Sequence, residues 1–448
     1  MKIIHIASEM TPIAKVGGLG DVVYGLSKQQ VEDGDSVEIV LPYYACIDKS
    51  LLDNEKEVKP GVVKAEFEGL PLILLGHYSQ IYGNDAVSEI VRFSRFCKEA
   101  KAYLKETSFD VIHLHDWPVG LLAPMLKLTQ PDTRIVLSIH NFYHQGKCSL
   151  DDVKNLNLPL DELTDPHDPN TLNILKGALA FSDAIVAVSP KYAREILTEK
   201  EGSGLDQVLK KQQHKLSGIL NGIDTSYWNP NTDPFLVYHY SMDEIDTAVV
   251  GKESNRAHLF YELKMDRVKT PLVCAITRLV PQKGLDAIEK ALEFTLENGG
   301  NFILLGSSPF PEIQSRFHTL AEKHQGPNLH CHFVFDERLA HMTYAASDMI
   351  VIPSVFEPCG LTQMIAMRYG CVPIVRCTGG LADTVENRKN GFSFTDPEDF
   401  LKMLTQAFDC YRNQPQVWKE LMLQGQKRDC SWKESAKAYR KVYNKSTS

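Results

Sequence analysis

The sequence predicts an α/β protein built from two doubly wound domains, each a parallel sheet covered by helices, with a helical C-terminal tail. Three observations predict it. Apolar strand-like runs alternate with helical patterns through the first half of the chain and again through the second, the rhythm of parallel strands joined by crossover helices. The halves share a near-repeat, Val-Gly-Gly-Leu-Gly-Asp-Val-Val at 16–23 and Thr-Gly-Gly-Leu-Ala-Asp-Thr-Val at 378–385, each following a strand-like run and opening a helix-like one. The chain of 448 residues is too long for one small core, and two domains fit it best.

The first series runs through strands at 3–7, 37–41, 72–75, 111–114, 135–139, 184–188 and 216–220, with a helix at 18–31 after the first. The stretch 221–234, dense in Asn, Gly, Asp and Pro and without a helical or strand period, reads as a hinge. It divides the chain into an N-terminal domain at 1–225 and a C-terminal domain at 226–448. A polar helix at 245–265 leads into strands at 272–276, 302–305, 330–335, 349–352 and 372–375. The tail at 397–443 reads as wholly helical and is expected to pack back across the domains.

A hydrophobic content of 43% with 23% charged residues is that of an ordinary globular protein with a sizeable core. The net charge of −9 argues against a nucleic-acid-binding face while leaving room for local basic pockets. Ten cysteines without a C-x-x-C pair, and an N-terminus that reads as a first strand rather than a signal peptide, point to a reduced cytoplasmic enzyme. No apolar run approaches the roughly 18 residues of a membrane span, so no membrane partner is expected.

In open parallel sheets ligands bind beyond the carboxyl ends of the strands, so the residues just after each strand carry the functional signal. They are Lys15 with Gly17 and Gly18, Asp21, His115 with Asp116, His140, Asn221, Arg278 with Lys283, Glu357 with Gly360, and Thr378 with Gly379 and Gly380. Paired glycines let the backbone bend tightly and bare its amides at a helix start, where an anion is favoured. Two such loops suggest two domains facing one cleft. Lys15, Arg278 and Lys283 lie beside the glycine loops or strand ends, where cations and amides together suit a departing diphosphate and no metal is needed. In 353–362, Glu357 is placed to receive sugar hydroxyls or oppose positive charge on a sugar ring, or to cap the helix that follows. His140 suits either a sugar contact or a packed structural role. His113 and His115, with Asp116 beside them, find no third ligand at a recognisable spacing, so no metal site is expected. Cys359 lies beside the anion loop, but free cysteines are usually buried and inert.

Taken together, 15–21, His115-Asp116-Trp117, His140-Asn141, 220–224, 278–284, 356–363, 378–383 and Ser431-Trp432 resemble bacterial glycogen and starch synthases from the first strand to the tail. The resemblance implies two Rossmann-like domains around a deep cleft, the GT-B fold. It implies transfer of glucose from ADP-glucose to the non-reducing end of glycogen or another α-1,4-glucan, with retention of configuration and with no cofactor or metal. Arg278 and Lys283 would hold the diphosphate, helped by Lys15 and the loops at Gly17–Gly18 and at Thr378, Gly379, Gly380 and Leu381. Asp21, His140, Asn221 and Glu357, with Cys359, Gly360 and Leu361, would line the donor glucose or the loop closing on it, and Glu357, Arg278, Lys283, His140 and Asp21 would form the catalytic set.

One departure stands out. The histidine that the family carries a fixed distance before Leu175-Lys176 falls here on Thr164, with His167 three residues away. Its role is left unassigned. UDP-glucose is the alternative donor, with Phe335 available to stack on either base. A glucan phosphorylase, which needs a lysine-bound pyridoxal phosphate and a longer chain, and a non-catalytic nucleotide-sugar or glucan binder are the competing classes.

Overall fold

The computed structural model describes residues 1–83, 88–266 and 271–445. The chain divides into two compact units, Met1–Gly222 together with the chain from Ser431 onward, and Ile223–Cys430. The split lies within the turn-rich stretch at 221–234. The last helix, however, belongs to the first unit and not to the C-terminal domain in which the division at 225 placed it.

In the first unit the strands are β1 (Lys2–Ile6), β2 (Ser36–Tyr44), β3 (Asp53–Lys59), β4 (Val62–Phe67), β5 (Leu70–Tyr78), β6 (Val111–His115), β7 (Ile135–Ile139), β8 (Lys147–Cys148), β9 (Thr164–Asp165), β10 (Asp168–Asn173), β11 (Ala184–Ala187) and β12 (Leu216–Gly218). Nine of them form one sheet in the order β12-β11-β7-β6-β1-β2-β5-β4-β3, and β8, β10 and β9 make a small second sheet. The strands from β12 to β5 are parallel, and β3 and β4 extend the edge antiparallel. Chain order reverses between β1 and β6. Those two strands are buried along most or all of their length, as a sheet covered on both faces requires.

The helix Trp432–Asn444 closes this unit. Trp432, Tyr439 and Tyr443 join Ile3, Val22, Leu26, Val111 and Val136 in one buried cluster. The helix seats closely because Gly25 has no side chain: a Cβ there would lie 2.5 Å from Trp432 Cε2. The Ser435 hydroxyl donates to the Leu220 carbonyl at 2.5 Å, and the Arg440 guanidinium pairs with Asp35 at 2.6 Å.

The second unit holds β13 (Leu272–Ile276), β14 (Asn301–Leu305), β15 (Leu329–His332), β16 (Met349–Ile352), β17 (Val372–Arg376) and β18 (Phe392–Phe394). They form one sheet, β15-β14-β13-β16-β17-β18, parallel throughout. This is the doubly wound order whose reversal creates a binding crevice. The expected strand at 330–335 is shorter and earlier, because its pairing ends at Leu305 and His332, and Phe335 lies beyond it, 82% exposed. Among the described residues no helix is long and apolar enough to cross a membrane.

Candidate active site

In the second unit the reversal falls between β13 and β16, and the loops after those strands carry the predicted residues. Arg278 follows β13, exposed and without an ion pair among the described residues. Lys283 ends the short turn Pro281–Lys283. Its Nζ lies 2.6 Å from Glu357 Oε2, and the Ser354 hydroxyl donates to that same oxygen at 2.8 Å. Glu357 is buried. Its carboxylate is therefore met inside the fold by one cation and one hydroxyl, both on loops at the switch point.

The backbone fixes this pair. The Val355 amide donates to the Gln282 carbonyl at 2.9 Å and the Gln282 side-chain amide donates to the Phe356 carbonyl at 2.9 Å, tying the loop of Lys283 to the loop of Glu357. The loop after β17 packs against the Glu357 loop, with the Gly380 amide donating to the Glu357 carbonyl at 3.1 Å. Two glycines make that approach possible. A Cβ on Gly380 would lie 2.5 Å from Cys359 Cα, and one on Gly379, at φ 43°, 2.8 Å from the Glu357 carbonyl carbon. Thr378 is buried and precedes the helix Gly379–Thr384, in which Leu381 is buried.

Cys359 is buried, Gly360 takes φ 76° and Leu361 precedes the helix Thr362–Arg368. The Gln363 amide donates to the carbonyls of Cys359 at 3.2 Å and Gly360 at 2.8 Å. The capping role considered for Glu357 does not hold, because the helix begins five residues later and the carboxylate is committed to Lys283 and Ser354.

In the first unit the reversal between β1 and β6 brings the loop after β1 beside the loop after β6. The glycine loop there differs from its counterpart. The Val16 and Gly17 amides donate to Glu9 Oε2 at 2.7 and 2.8 Å, and the Tyr82 hydroxyl donates to the other carboxylate oxygen at 2.8 Å. The chain thus supplies its own buried anion, so the phosphate-binding expectation is corrected for the Gly17 amide, whose proton is already bonded. Gly18 opens the helix Gly18–Glu32. Lys15 pairs with Asp21 at 2.8 Å, and the Thr11 hydroxyl donates to the same Asp21 oxygen at 2.9 Å.

After β6, Asp116 adopts φ 61° and ψ −177°, a region nearly confined to glycine and costing about 1–3 kcal/mol. That backbone turns its carboxylate to accept the His140 amide at 2.7 Å. Burial pushes the Asp116 carboxyl up to about 7, against the pull of the amide hydrogen bonds from His140 and Asn141. The His140 ring meets His115 at 3.0 Å between Nε2 and Nδ1. Asn221 is buried, and its Oδ1 has no hydrogen-bond partner among the described residues. Strand-end reading missed Glu9, Ser354 and the positioning role of Asp116, although each follows a strand within a few residues.

The glycogen synthase of Protochlamydia amoebophila (strain UWE25) is 40% identical to the chain over 495 aligned positions, covering 99% of each. The chain belongs to the glycogen and starch synthase family. The family description "Starch synthase catalytic domain" matches residues 2–211, and "Glycosyl transferases group 1" matches 264–421. The catalytic domain of starch synthase IV from Arabidopsis thaliana, solved bound to ADP and acarbose, is 37% identical with a TM-score of 0.92 over 100% of the chain and 99% of that domain. Sucrose-phosphate synthase from Thermosynechococcus elongatus, 19% identical with a TM-score of 0.68 over 99% of the chain and 98% of that protein, shares the fold. The two Rossmann-like units are those of a GT-B glycosyltransferase.

Within this glycosyltransferase, Thr164 lies on β9 and its hydroxyl donates to the Leu160 carbonyl at 3.0 Å. His167 sits at the bend between β9 and β10, exposed, with Nε2 3.0 Å from the Gly204 carbonyl oxygen.

Proposed function

We infer that the chain transfers glucose from ADP-glucose to the non-reducing-end 4-hydroxyl of an α-1,4-glucan such as glycogen, retaining the anomeric configuration. The observation that carries this reading is the pair of half-buried Lys283 and buried Glu357, with exposed Arg278, at the reversal point of the second sheet. Arg278 and Lys283 bind the donor diphosphate, while the loop at 378–381, whose Thr378 and Gly380 amides already donate to the carbonyls of Arg376 and Glu357, holds Glu357 beside Lys283. As the glycosidic bond lengthens, negative charge grows on the diphosphate and these preorganised groups stabilise it, the work that a metal does in other transferases. Glu357 opposes the positive charge that grows on the sugar ring.

In the first unit Lys15, Asp21, His140 and Asn221 take the sugar-facing roles, and a sugar hydroxyl reaching Asn221 Oδ1 would satisfy an acceptor that now has no partner. The ADP in the Arabidopsis neighbour supports adenine as the donor base. The ten cysteines, all free, fit action in the reducing cytoplasm. The test is incorporation of labelled glucose into glycogen from ADP-glucose and from UDP-glucose, each with excess chelator. Turnover from ADP-glucose that the chelator leaves unchanged is expected. Preference for UDP-glucose would overturn the donor assignment, and loss of activity restored by magnesium or manganese would overturn the metal-free chemistry.

A further inference from the structure

Behind His140 lies a line of buried polar rings that the reaction above does not use. His5 on β1 and His113 on β6 are register partners, and His115, two residues further on, shares the face of His113. All three are fully buried. Each can offer a ligand atom within 4.8 Å of the other two, a spacing suited to a cation. Yet all six of their ring nitrogens are already hydrogen-bonded. His5 uses Nε2 for Gln30 Oε1 at 2.7 Å and Nδ1 for His115 Nε2 at 3.0 Å. His115 uses Nδ1 for His140, and His113 uses Nδ1 for the Tyr443 hydroxyl at 2.9 Å and Nε2 for the Ser138 hydroxyl at 2.7 Å. The arrangement is a hydrogen-bonded relay.

Its direction follows from one end. Burial keeps all four rings neutral, lowering His5 to about 4, His140 to about 3, and His113 and His115 well below their ordinary value. Each ring therefore carries one proton, on one nitrogen. Gln30 Oε1 can only accept, so His5 Nε2 holds its proton and His5 Nδ1 is bare. His115 must then donate from Nε2 and accept at Nδ1. His140 in turn donates from Nε2, which leaves its Nδ1 with a free lone pair. The other arm is consistent with this: Gln30 Nε2 donates to the Tyr443 oxygen at 3.0 Å, Tyr443 to His113, His113 to Ser138, and Ser138 to the Tyr439 oxygen at 3.1 Å. Turning the Gln30 amide over would reverse every donor, and His140 would then present an N–H at Nδ1.

We propose that Gln30, anchored by Tyr443 of the last helix, is a positioning residue that sets the tautomer of His140, so that Nδ1 accepts a hydrogen bond from a hydroxyl of the bound sugar. The proposal rests on the reading that His140 faces the sugar. Neither Gln30 nor Tyr443 touches substrate. They act through His5 and His115.

The test is nitrogen NMR of protein labelled with [15N]histidine, in which protonated and bare ring nitrogens resonate far apart. His140 is assigned from the signal lost in His140→Asn. Wild type should show His140 protonated at Nε2 and bare at Nδ1. Gln30→Glu keeps an acceptor for His5 and should keep both the tautomer and kcat/KM. Gln30→Met removes it, and His140 should become a mixture of tautomers with kcat/KM down about tenfold or more. A proton on His140 Nδ1 in wild type overturns the proposal, and this arm needs no variant to fold. So does an unchanged tautomer in Gln30→Met. A tautomer that changes in Gln30→Met while kcat/KM stays constant would instead uphold the relay and remove His140 from the sugar contacts.

Discussion

Substituting Gly380 by alanine tests whether the loop after β17 holds Glu357 in place. The added Cβ would lie 2.5 Å from Cys359 Cα and closer still to the Cys359 carbonyl oxygen, whereas ordinary contact begins at 3.4 Å. Both obstacles are backbone, so no side chain can swing aside. One of the two loops must move by about an ångström, and the Gly380 amide that donates to the Glu357 carbonyl moves with it. A displacement of that size at a reacting group costs about 100-fold in rate, or about 2.7 kcal/mol in the barrier, on top of roughly 1–3 kcal/mol of overpacking in stability. The control is Gly17→Ala in the other copy of the repeat, where a Cβ meets nothing within 4 Å. Initial rates of glucose incorporation from ADP-glucose, alongside thermal melting of both variants, make the measurement. A folded Gly380→Ala enzyme with wild-type kcat would refute the claim that this close approach positions Glu357.

Lys283→Ala and Arg278→Ala should each lower turnover by about 100-fold or more with folding retained, and near-normal rates in both would remove the diphosphate assignment. Glu357→Gln keeps the size and polarity of the side chain while removing its charge, so ADP affinity by calorimetry should survive while most turnover is lost. Equal turnover by wild type and this variant would sink the charge-opposing role. Asp116 gives a pH signature. Its carboxyl is raised from 3.8 to about 7, so its favourable contribution is full below about pH 4 and is lost as pH rises through 7. In urea unfolding, the stability of Asp116→Asn relative to wild type should therefore grow between pH 4 and 7, and a constant difference would contradict the burial of a costly charge.

The strand ends were legible because their signals are local. β13 and β16 are short apolar runs, and each is followed by a segment that no strand or helix pattern can absorb, so Arg278, Lys283 and Glu357 were found without a partner being known. Elements that lack such a contrast were missed. β3 is wholly exposed and has no apolar alternation to announce it, while β18 is only three residues long.

By itself the sequence determined two doubly wound sheets, the glycine turns between their strands and helices, and the charged and polar side chains at strand ends, because periodicity and backbone freedom act over a few residues. Only the tertiary structure decided what each loop does. The two Gly-Gly-Leu copies are nearly the same locally, yet Glu9 occupies the amides of the first, while the second folds against the backbone of Glu357. Partners for a bared amide or a buried imidazole come from whichever strand the sheet order places alongside. That order joins His5 to His115, and the packing of the last helix on the helix Gly18–Glu32 joins Gln30 to Tyr443, across stretches of chain over which no periodic pattern carries information.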